Sequence, residues 1–536
     1  MADDPARWGD TVVRSTVRGR PTLVYEHRPR SVCAFLRESR RWHDREFIVH
    51  GSRRVTFADH ESAVRRTAAA FAARGVGAGD RVAIFAANCP EWPVAFFAAL
   101  ELGAIAVPCN GWWSAPQVAH ACELTGPRLI VADDRRADRL PAGSPVVLVD
   151  ELRGVAGGGG DELLPGVPVG DEDEERPAVV LFTSGTTGLP KGVTLSHRAV
   201  VANVQSLLVL SRRLPRQLAD DQPVTVTLTG LPLFHIGAIQ LMLQPFVTGA
   251  KLVFPDGRFD AGEVLRLIET ERVNVWGAVP TMVERVLAHP DLSVRDVSSV
   301  RTVGLGGSTV SPHLLERIPV AFPNAVRGTS QVYGLSEAGG VLATSPSKKL
   351  VTHKGAVGCA VPVAELRIDE PDAAGIGEIV ARSPAVMDGY WSEPDDSVFT
   401  PDGWLRSGDL GWLDADGYLY VTGRKKDLVV RGGENIAPAH IESCLLKHPA
   451  VREAAVVGLP HRVFGEEVGA IVSLLPGADP SEEDLAGFLR PDLAPFEMPT
   501  RWWLCHDDLP KGDTGKIVKY ELLNAWVAKL RGEGTA

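Results

Sequence analysis

The sequence predicts an α/β protein in two parts, a large layered domain with parallel strands followed by a small α+β domain. Three observations carry this. Short continuous apolar runs alternate with amphipathic helical stretches through most of the chain, the rhythm of strands covered by helices on both faces. That rhythm changes near Gly423, where a basic, glycine-flanked linker precedes a compact set of helix and strand signals. A length of 536 residues also exceeds what one ordinary domain encloses.

Taken in order, residues 1–50 are arginine-rich and irregular, and are expected to wrap the surface. From Thr56 the pattern sharpens. Thr56-Phe57-Ala58-Asp59 fits a capping box, and an alanine-rich amphipathic run continues to Arg74 and stops at Gly75. Residues 81–86 read as a buried strand and residues 93–102 as a helix. The most apolar run, residues 94–108, is too short to span a bilayer and contains Glu101, so it reads as a core helix feeding a buried strand. Residues 154–175 break the rhythm with glycines at 157–160 and the acidic run 171–175, read as a solvated insertion without function. Residues 178–182 form the next buried strand, and α/β character continues through 252–254, 273–279 and 300–305. Beyond Gly423 come a helix at 438–446, strands at 453–457 and 468–474, and a helix opened by the capping box Ser481 to Asp484. Proline suits the first turn of the helix at 438, where its missing N–H would be unpaired anyway. No internal repeat is present.

The composition is that of a globular protein, 45% hydrophobic and 23% charged. A formal net charge of −11 argues against a general nucleic-acid or membrane-surface binder, whose footprint is basic. Any anionic ligand must therefore be held by local positive groups. The 7 cysteines stand singly, with no CxxC and no metal-ligand spacing, which suits a reducing cytoplasm. The N-terminus lacks the basic and apolar regions of a secretory signal. Neither a nucleic-acid partner nor an integral membrane segment is expected.

The most informative stretch is LFTSGTTGLPKGV, residues 181–193. After the apolar strand come Thr183, Ser184, Gly185, Thr186, Thr187 and Gly188, without one bulky side chain. Glycines let the backbone approach a ligand closely, and successive amides with four hydroxyls can surround a polyanion. Lys191 adds a full positive charge at the edge. The common nucleotide P-loop places its lysine directly after glycine and before Ser/Thr, whereas here Pro190 precedes it and Gly192 follows. Further on, Tyr333-Gly334-Leu335-Ser336-Glu337 offers an aromatic face, a close-approach glycine, a hydroxyl and a carboxylate whose hard oxygen suits Mg²⁺. Ser407-Gly408-Asp409 reads as a turn whose carboxylate can accept from two ribose hydroxyls. Arg424 and Lys426 lie in GRKKDLVVRGGENI at the domain change, and Lys516 in the glycine-flanked PKGDTGKIV.

Together these segments resemble the adenylate-forming superfamily of acyl- and aryl-CoA synthetases, peptide-synthetase adenylation domains and firefly-type luciferases. The match runs in order from about Thr56 to Lys516. Ser336 stands where the superfamily usually has threonine, keeping the hydroxyl. The resemblance implies an N-terminal adenylation domain over residues 1–425 and a mobile C-terminal lid over 426–536, turning about a hinge at Lys426. It implies ATP and AMP binding by Thr183, Ser184, Gly185, Thr186, Thr187, Gly188, Lys191, Gly307, Tyr333, Gly334, Ser336, Asp409 and Arg424. Tyr333 would stack on adenine, Asp409 and Arg424 would hold the ribose, and Glu337 with Thr183 would hold Mg²⁺. Lys516 is implied as the catalytic lysine, acting with Glu337 and His235, and Gly432 and Gly433 as contacts for CoA.

His235, in PLFHIGA, borders the carboxylate site in acyl- and aryl-CoA synthetases. Peptide-synthetase domains usually carry an aspartate there to hold an amino group. Its absence argues against an α-amino acid. His235, Trp276, Gly277, Gly306 and Gln331 are expected to wall an apolar acid pocket. The expected reaction joins a hydrophobic carboxylic acid to ATP and then to the thiol of CoA. A carrier-protein phosphopantetheine presents the same arm and stands as the alternative acceptor. The acid itself is left open among fatty, aryl and polycyclic types, and a homodimer is an open assembly.

Overall fold

A computed structural model of the chain describes residues 8–157, 173–184, 189–307, 310, 312–326, 328–346, 352–392, 395–431, 434–511 and 517–533. The apolar runs pair into two large sheets. The first orders its strands Gly389–Tyr390, Pro190–Ser196, Pro177–Ser184, Ile105–Pro108, Arg81–Phe85, Leu129–Ala132 and Val146–Leu148. From Pro177–Ser184 onward these are parallel. The second sheet has a parallel centre of Ser330–Leu335, Thr302–Leu305, Val275–Ala278, Val226–Thr229, Lys251–Phe254 and Glu46–His50. Antiparallel strands flank it at both edges.

Strand alternation explains the layering. On Arg81–Phe85, Val82 and Ile84 join the main core while Ala83 and Phe85 join a separate cluster on the opposite face. The run is apolar throughout because both faces are covered. The main core gathers both sheets around helices Phe57–Ala73, Glu91–Glu101, His197–Leu210 and Ile236–Thr248, so one helical layer lies between the sheets. Helices Ala261–Glu271, Pro280–Leu287 and Pro312–Ala321 cover the outer face of the second sheet. The Thr56 capping box forms as expected, with Thr56 accepting from Asp59 N–H and Asp59 accepting from Thr56 N–H.

Two more sheets complete the chain. Glu365–Asp369, Gly377–Arg382, Leu405–Leu413 and Leu419–Arg424 form an antiparallel four-stranded sheet. After the short turn Lys425–Asp427, a final sheet is built from Val429–Arg431, Glu434–Ile436, Val451–His461, Gly465–Leu474 and Arg501–Cys505. Helices Pro438–Leu445 and Glu482–Leu489 pack on one of its faces and Lys519–Glu533 on the other. The Ser481 capping box is present here too.

Two expectations need correction. Residues 8–50 are not irregular: they hold a hairpin, Val12–Val17 with Arg20–Tyr25, a helix Cys33–Glu38 and a strand of the second sheet. Their arginines hid the pattern because their acidic partners lie far along the chain. The acidic run before the phosphate loop supplies two of those partners. Glu174 binds Arg28 at 2.6 Å and Arg30 at 2.7 Å, and Glu175 binds Arg18 at 3.3 Å and the fully buried Arg198 at 2.7 Å. Residues 158–172 of the insertion lie outside the described residues; at its described end Glu174 is buried in this clamp on the N-terminal segment, while Asp173 and Glu175 stay exposed.

Candidate active site

The loop singled out in the sequence joins an antiparallel hairpin. Strands Pro177–Ser184 and Pro190–Ser196 pair with Thr183 opposite Lys191, so a hydroxyl and an ammonium flank the loop at its mouth. Gly185, Thr186, Thr187 and Gly188 lie outside the described residues, as does the side chain of Ser184. The Lys191 ammonium lies 4.8 Å from the centroid of the Tyr390 ring and 3.5 Å from Asp395 Oδ2. Tyr390 in turn donates its hydroxyl to Glu337 Oε1 at 3.3 Å. Burial and the Glu337 charge push the Tyr390 hydroxyl above its ordinary pKa, which keeps it a donor.

Glu337 occupies the 3₁₀ turn Ser336–Ala338 at the carboxyl end of strand Ser330–Leu335. Its carbonyl accepts from Met387 N–H at 2.9 Å. Gly334 packs so tightly on the next strand that a Cβ would fall 2.0 Å from the Gly340 carbonyl oxygen, so a side chain is excluded there. Tyr333 donates its hydroxyl to Asp409 Oδ2 at 2.8 Å, and Arg424 Nε lies 3.2 Å from Asp409 Oδ1. Asp409 and Arg424 face each other across Leu405–Leu413 and Leu419–Arg424. Burial, and after it the Asp409 charge, raises the Tyr333 hydroxyl well above its usual range.

Asp409 does not stand on a turn. It lies inside strand Leu405–Leu413, bent by Gly408 at φ +72° and by a bulge between Leu410 and Gly411. The Asp409 N–H donates to Ser407 Oγ at 3.0 Å. Behind the bend, the buried Glu378 accepts from Gly408 N–H at 3.3 Å, from Arg406 at 2.8 Å and from Lys425 at 3.0 Å.

The acid-pocket residues divide. His235 is half-buried at the N-terminus of helix Ile236–Thr248, with its ring centroid 4.5 Å from that of Phe234, which meets Trp112 edge-on at 5.2 Å. Gly277 faces this helix: a Cβ on it would lie 2.6 Å from Leu241 Cδ1. Gly306 similarly faces Val332, at 2.5 Å from Cγ2. Gly307 follows it just beyond strand Thr302–Leu305, and the buried Gln331 pairs with Leu305 on the neighbouring strand. Trp276 is not a pocket wall. It is 1% exposed and packs with Phe322 in the outer core, because neighbours on a strand point to opposite faces.

Lys426 is exposed in the turn Lys425–Asp427, between the four-stranded and the final sheets. Lys516, Gly432 and Gly433 lie outside the described residues. Tyr390, Asp395 and Glu378 are the residues that sequence reasoning missed. Only Gly389-Tyr390, a glycine-aromatic pair after an apolar run, offered a signal.

Thr183, Tyr333, Glu337 and Gly307 thus stand at or just beyond the carboxyl ends of strands in the two large sheets, the edge at which α/β sheets bind ligands, and the antiparallel strands bring Lys191, Tyr390, Asp409 and Arg424 to them. Comparison with known proteins agrees. Residues 35–391 match the family model for the AMP-binding enzyme, and residues 440–516 that for the AMP-binding enzyme C-terminal domain. A fatty acid–[acyl-carrier-protein] ligase of Streptomyces coeruleorubidus is 33% identical over 89% of this chain and 92% of its own length. A feruloyl-CoA synthase of an Amycolatopsis species is 33% identical over 89% and 94%. The o-succinylbenzoate CoA synthetase of Bacillus subtilis, solved with its acyl-adenylate intermediate, is 28% identical and superposes with a TM-score of 0.78 over 92% of this chain and 98% of its own. The same enzyme solved with ATP and magnesium ion gives 0.76 at 28% identity, over 91% and 98%. No helix among the described residues is long and apolar enough to cross a membrane. The chain belongs to the AMP-binding enzyme family, as an adenylate-forming acid–thiol ligase of the acyl-CoA synthetase type.

Proposed function

We propose that the chain converts a hydrophobic carboxylic acid, ATP and CoA into acyl-CoA, AMP and pyrophosphate in two half-reactions at one site. The observation that carries this reading is the linkage Tyr333–Asp409–Arg424 lying beside Glu337–Tyr390–Lys191 where the two large sheets and the four-stranded sheet meet. The first set offers an aromatic face and two charged ribose partners, and the second a cation and a carboxylate for phosphate and metal. Glu337 fits Mg²⁺ chemically: Tyr390 occupies Oε1 and leaves the other hard oxygen for a cation. When bound, the ion neutralises phosphate charge, a role in which Thr183 is the second proposed ligand.

In the first half-reaction the acid's carboxylate attacks the α-phosphorus of ATP and pyrophosphate leaves. Thr183, Ser184, Gly185, Thr186, Thr187, Gly188 and Lys191 hold the phosphates, with Gly307, Gly334 and Ser336 lining the nucleotide. Lys516, delivered by the C-terminal domain, meets the charge that builds on the phosphoryl oxygens. In the second half-reaction the CoA thiol attacks the acyl carbonyl and AMP leaves. We take residues 1–425 and 426–536 as the two moving parts, with the hinge at Lys426 and Gly432 and Gly433 facing the pantetheine arm. The exposed turn between two separate sheets supports that division.

His235, Phe234, Trp112, Gly277 and Gly306 favour an apolar acid without an amino group, and the relatives' aryl and fatty acids fall in that class. A cytoplasmic setting fits the free state of every cysteine. The Streptomyces relative favours a second reading, in which a carrier-protein phosphopantetheine replaces CoA.

The test is pyrophosphate release with MgATP over a panel of ferulate, 4-coumarate and fatty acids of increasing length. Each is run alone, with CoA, and with a phosphopantetheinylated acyl carrier protein. Acid-dependent release that turns over with CoA is expected. Turnover with the carrier protein alone would replace the CoA reading, and the absence of acid-dependent release across the panel would sink the hydrophobic-acid assignment.

A further inference from the structure

Tyr390 sits between the two groups of opposite charge on which the phosphate end of the site depends. Its backbone is stitched to both. The strand Gly389–Tyr390 pairs with the strand bearing Lys191, with Tyr390 opposite Val193 and Gly389 opposite Thr194. On either side, Asp388 N–H donates to Thr194 O at 2.8 Å and Trp391 N–H to Gly192 O at 2.6 Å. Met387 N–H reaches the Glu337 carbonyl at 2.9 Å. From outside, Arg18 of the N-terminal hairpin pairs with Asp388 and donates to Met387 O at 3.2 Å. The family model spans residues 35–391, so only the Arg18 end of this brace lies outside it.

We propose that Tyr390 is a positioning residue for both charges, its hydroxyl fixing the Glu337 carboxylate and its ring face carrying the Lys191 ammonium. Two physical effects follow. A glutamate has three rotatable side-chain bonds, and a donor on Oε1 holds the other oxygen in one place, lowering the ordering cost of binding a cation. The ring face also gives the ammonium a partner of its own, while the carboxylate is held apart at the hydroxyl. In a half-buried site opposite charges on long side chains draw together strongly, and a direct Lys191–Glu337 pair would take both from their ligands. The ion pair Lys191 makes is instead with Asp395, and its ammonium lies over the aromatic face. The inference rests on the reading of Glu337 as the metal carboxylate.

The two halves of the residue can be separated. Tyr390→Phe keeps the packing and the ring under Lys191 but removes the hydroxyl, whereas Tyr390→Leu removes both. Mn²⁺ binding to the full-length chain, followed by electron paramagnetic resonance with α,β-methylene-ATP present, reads the carboxylate without turnover. Affinity for the analogue without metal reads the lysine. Tyr390→Phe is expected to weaken Mn²⁺ binding about tenfold, with metal-free analogue affinity within about twofold and an unchanged thermal midpoint. Tyr390→Leu is expected to weaken both affinities. Wild-type Mn²⁺ affinity in Tyr390→Phe, with weakened binding in Glu337→Gln, would overturn the role of the hydroxyl and leave the metal reading standing. Wild-type affinity in Glu337→Gln as well would remove Glu337 as the metal group, and the inference with it.

Discussion

The imidazole of His60 is enclosed by Phe47, Phe97 and Phe246, at centroid distances of 5.1, 6.0 and 5.2 Å. Among the described residues neither ring nitrogen has a hydrogen-bond partner, and burial drives its pKa down to about 3. His197 is buried too. Its Nδ1 accepts from Val32 N–H at 3.1 Å, and burial, followed by the Arg176 charge, lowers it to about 4. Unfolded, both rings take up a proton near pH 6.5; folded, both stay neutral until far lower pH. Stability is therefore complete above pH 6.5 and falls as the pH drops from there towards 4, by about 1.4 kcal/mol per pH unit for each ring. His60→Leu should gain about 1–2 kcal/mol at pH 7 and shed one ring's share of the acid slope. Urea unfolding at pH 7 and at pH 5.5 measures both, and an unchanged slope would exonerate His60. At this scale the sequence was informative where chemistry is local. Lys191, Tyr333 and Glu337 stand inside short motifs whose residue types already state a task. Asp395 carries no such sign and Tyr390 only the glycine before it, because they acquire partners only when distant segments meet.

The four-stranded sheet Glu365–Arg424 is the element least visible in the sequence. Glu365–Asp369 and Leu405–Leu413 are largely half-buried and mix arginines with carboxylates, and the apolar run of the buried strand Gly377–Arg382 is only three residues long, so neither strict alternation nor a long apolar run marks them. Glu378 ties this sheet together. It is 7% exposed and binds Arg406, Lys425 and the amide of Gly408, so one carboxylate holds both the bend beneath Asp409 and the residue before the proposed hinge. A buried carboxylate is costly unless paired, and removing its charge leaves the guanidinium of Arg406 with Asp369 alone, at 3.0 Å. Glu378→Gln should therefore destabilise the chain by about 1–3 kcal/mol, discounted because Lys425 is largely exposed, and should weaken ATP binding through the Asp409 bend. Denaturant titration and nucleotide affinity measured on the same variant test this, and a loss of stability with intact affinity would separate the brace from the site. The converse misreading concerns Trp276. On a central parallel strand both faces are apolar, so composition could not tell which neighbour faces the pocket. The packing shows only that Trp276 joins the outer core while Gly277 faces Leu241 of helix Ile236–Thr248, the side on which the acid pocket is proposed.

The whole molecule was legible as two parts because helix and strand signals regroup after Gly423, and the sheets do separate there. Which motion joins the parts is a matter of mechanics. Lys425 is anchored to the four-stranded sheet through Glu378, while the Val430 N–H is held by Glu466 of the final sheet at 2.7 Å. Between the two anchors lies the short turn containing the exposed Lys426, the piece of backbone at which the proposed hinge is placed. If adenylate formation and thioester formation need different orientations, two substitutions should divide the reaction. Lys516→Ala removes the cation proposed to meet charge on the phosphoryl oxygens. It should cut adenylate formation by about 10²–10³-fold while largely sparing thioester formation from preformed acyl-adenylate. Lys426→Pro locks φ at the turn and should do the reverse, leaving pyrophosphate release near wild type while slowing thioester formation. The assay is single-turnover measurement of each half-reaction, with the adenylate supplied for the second. Equal losses in both halves for Lys516→Ala would argue for one fixed orientation serving both steps. Unimpaired thioester formation in Lys426→Pro would move the hinge elsewhere, first to the stretch 428–434 on the far side of the turn.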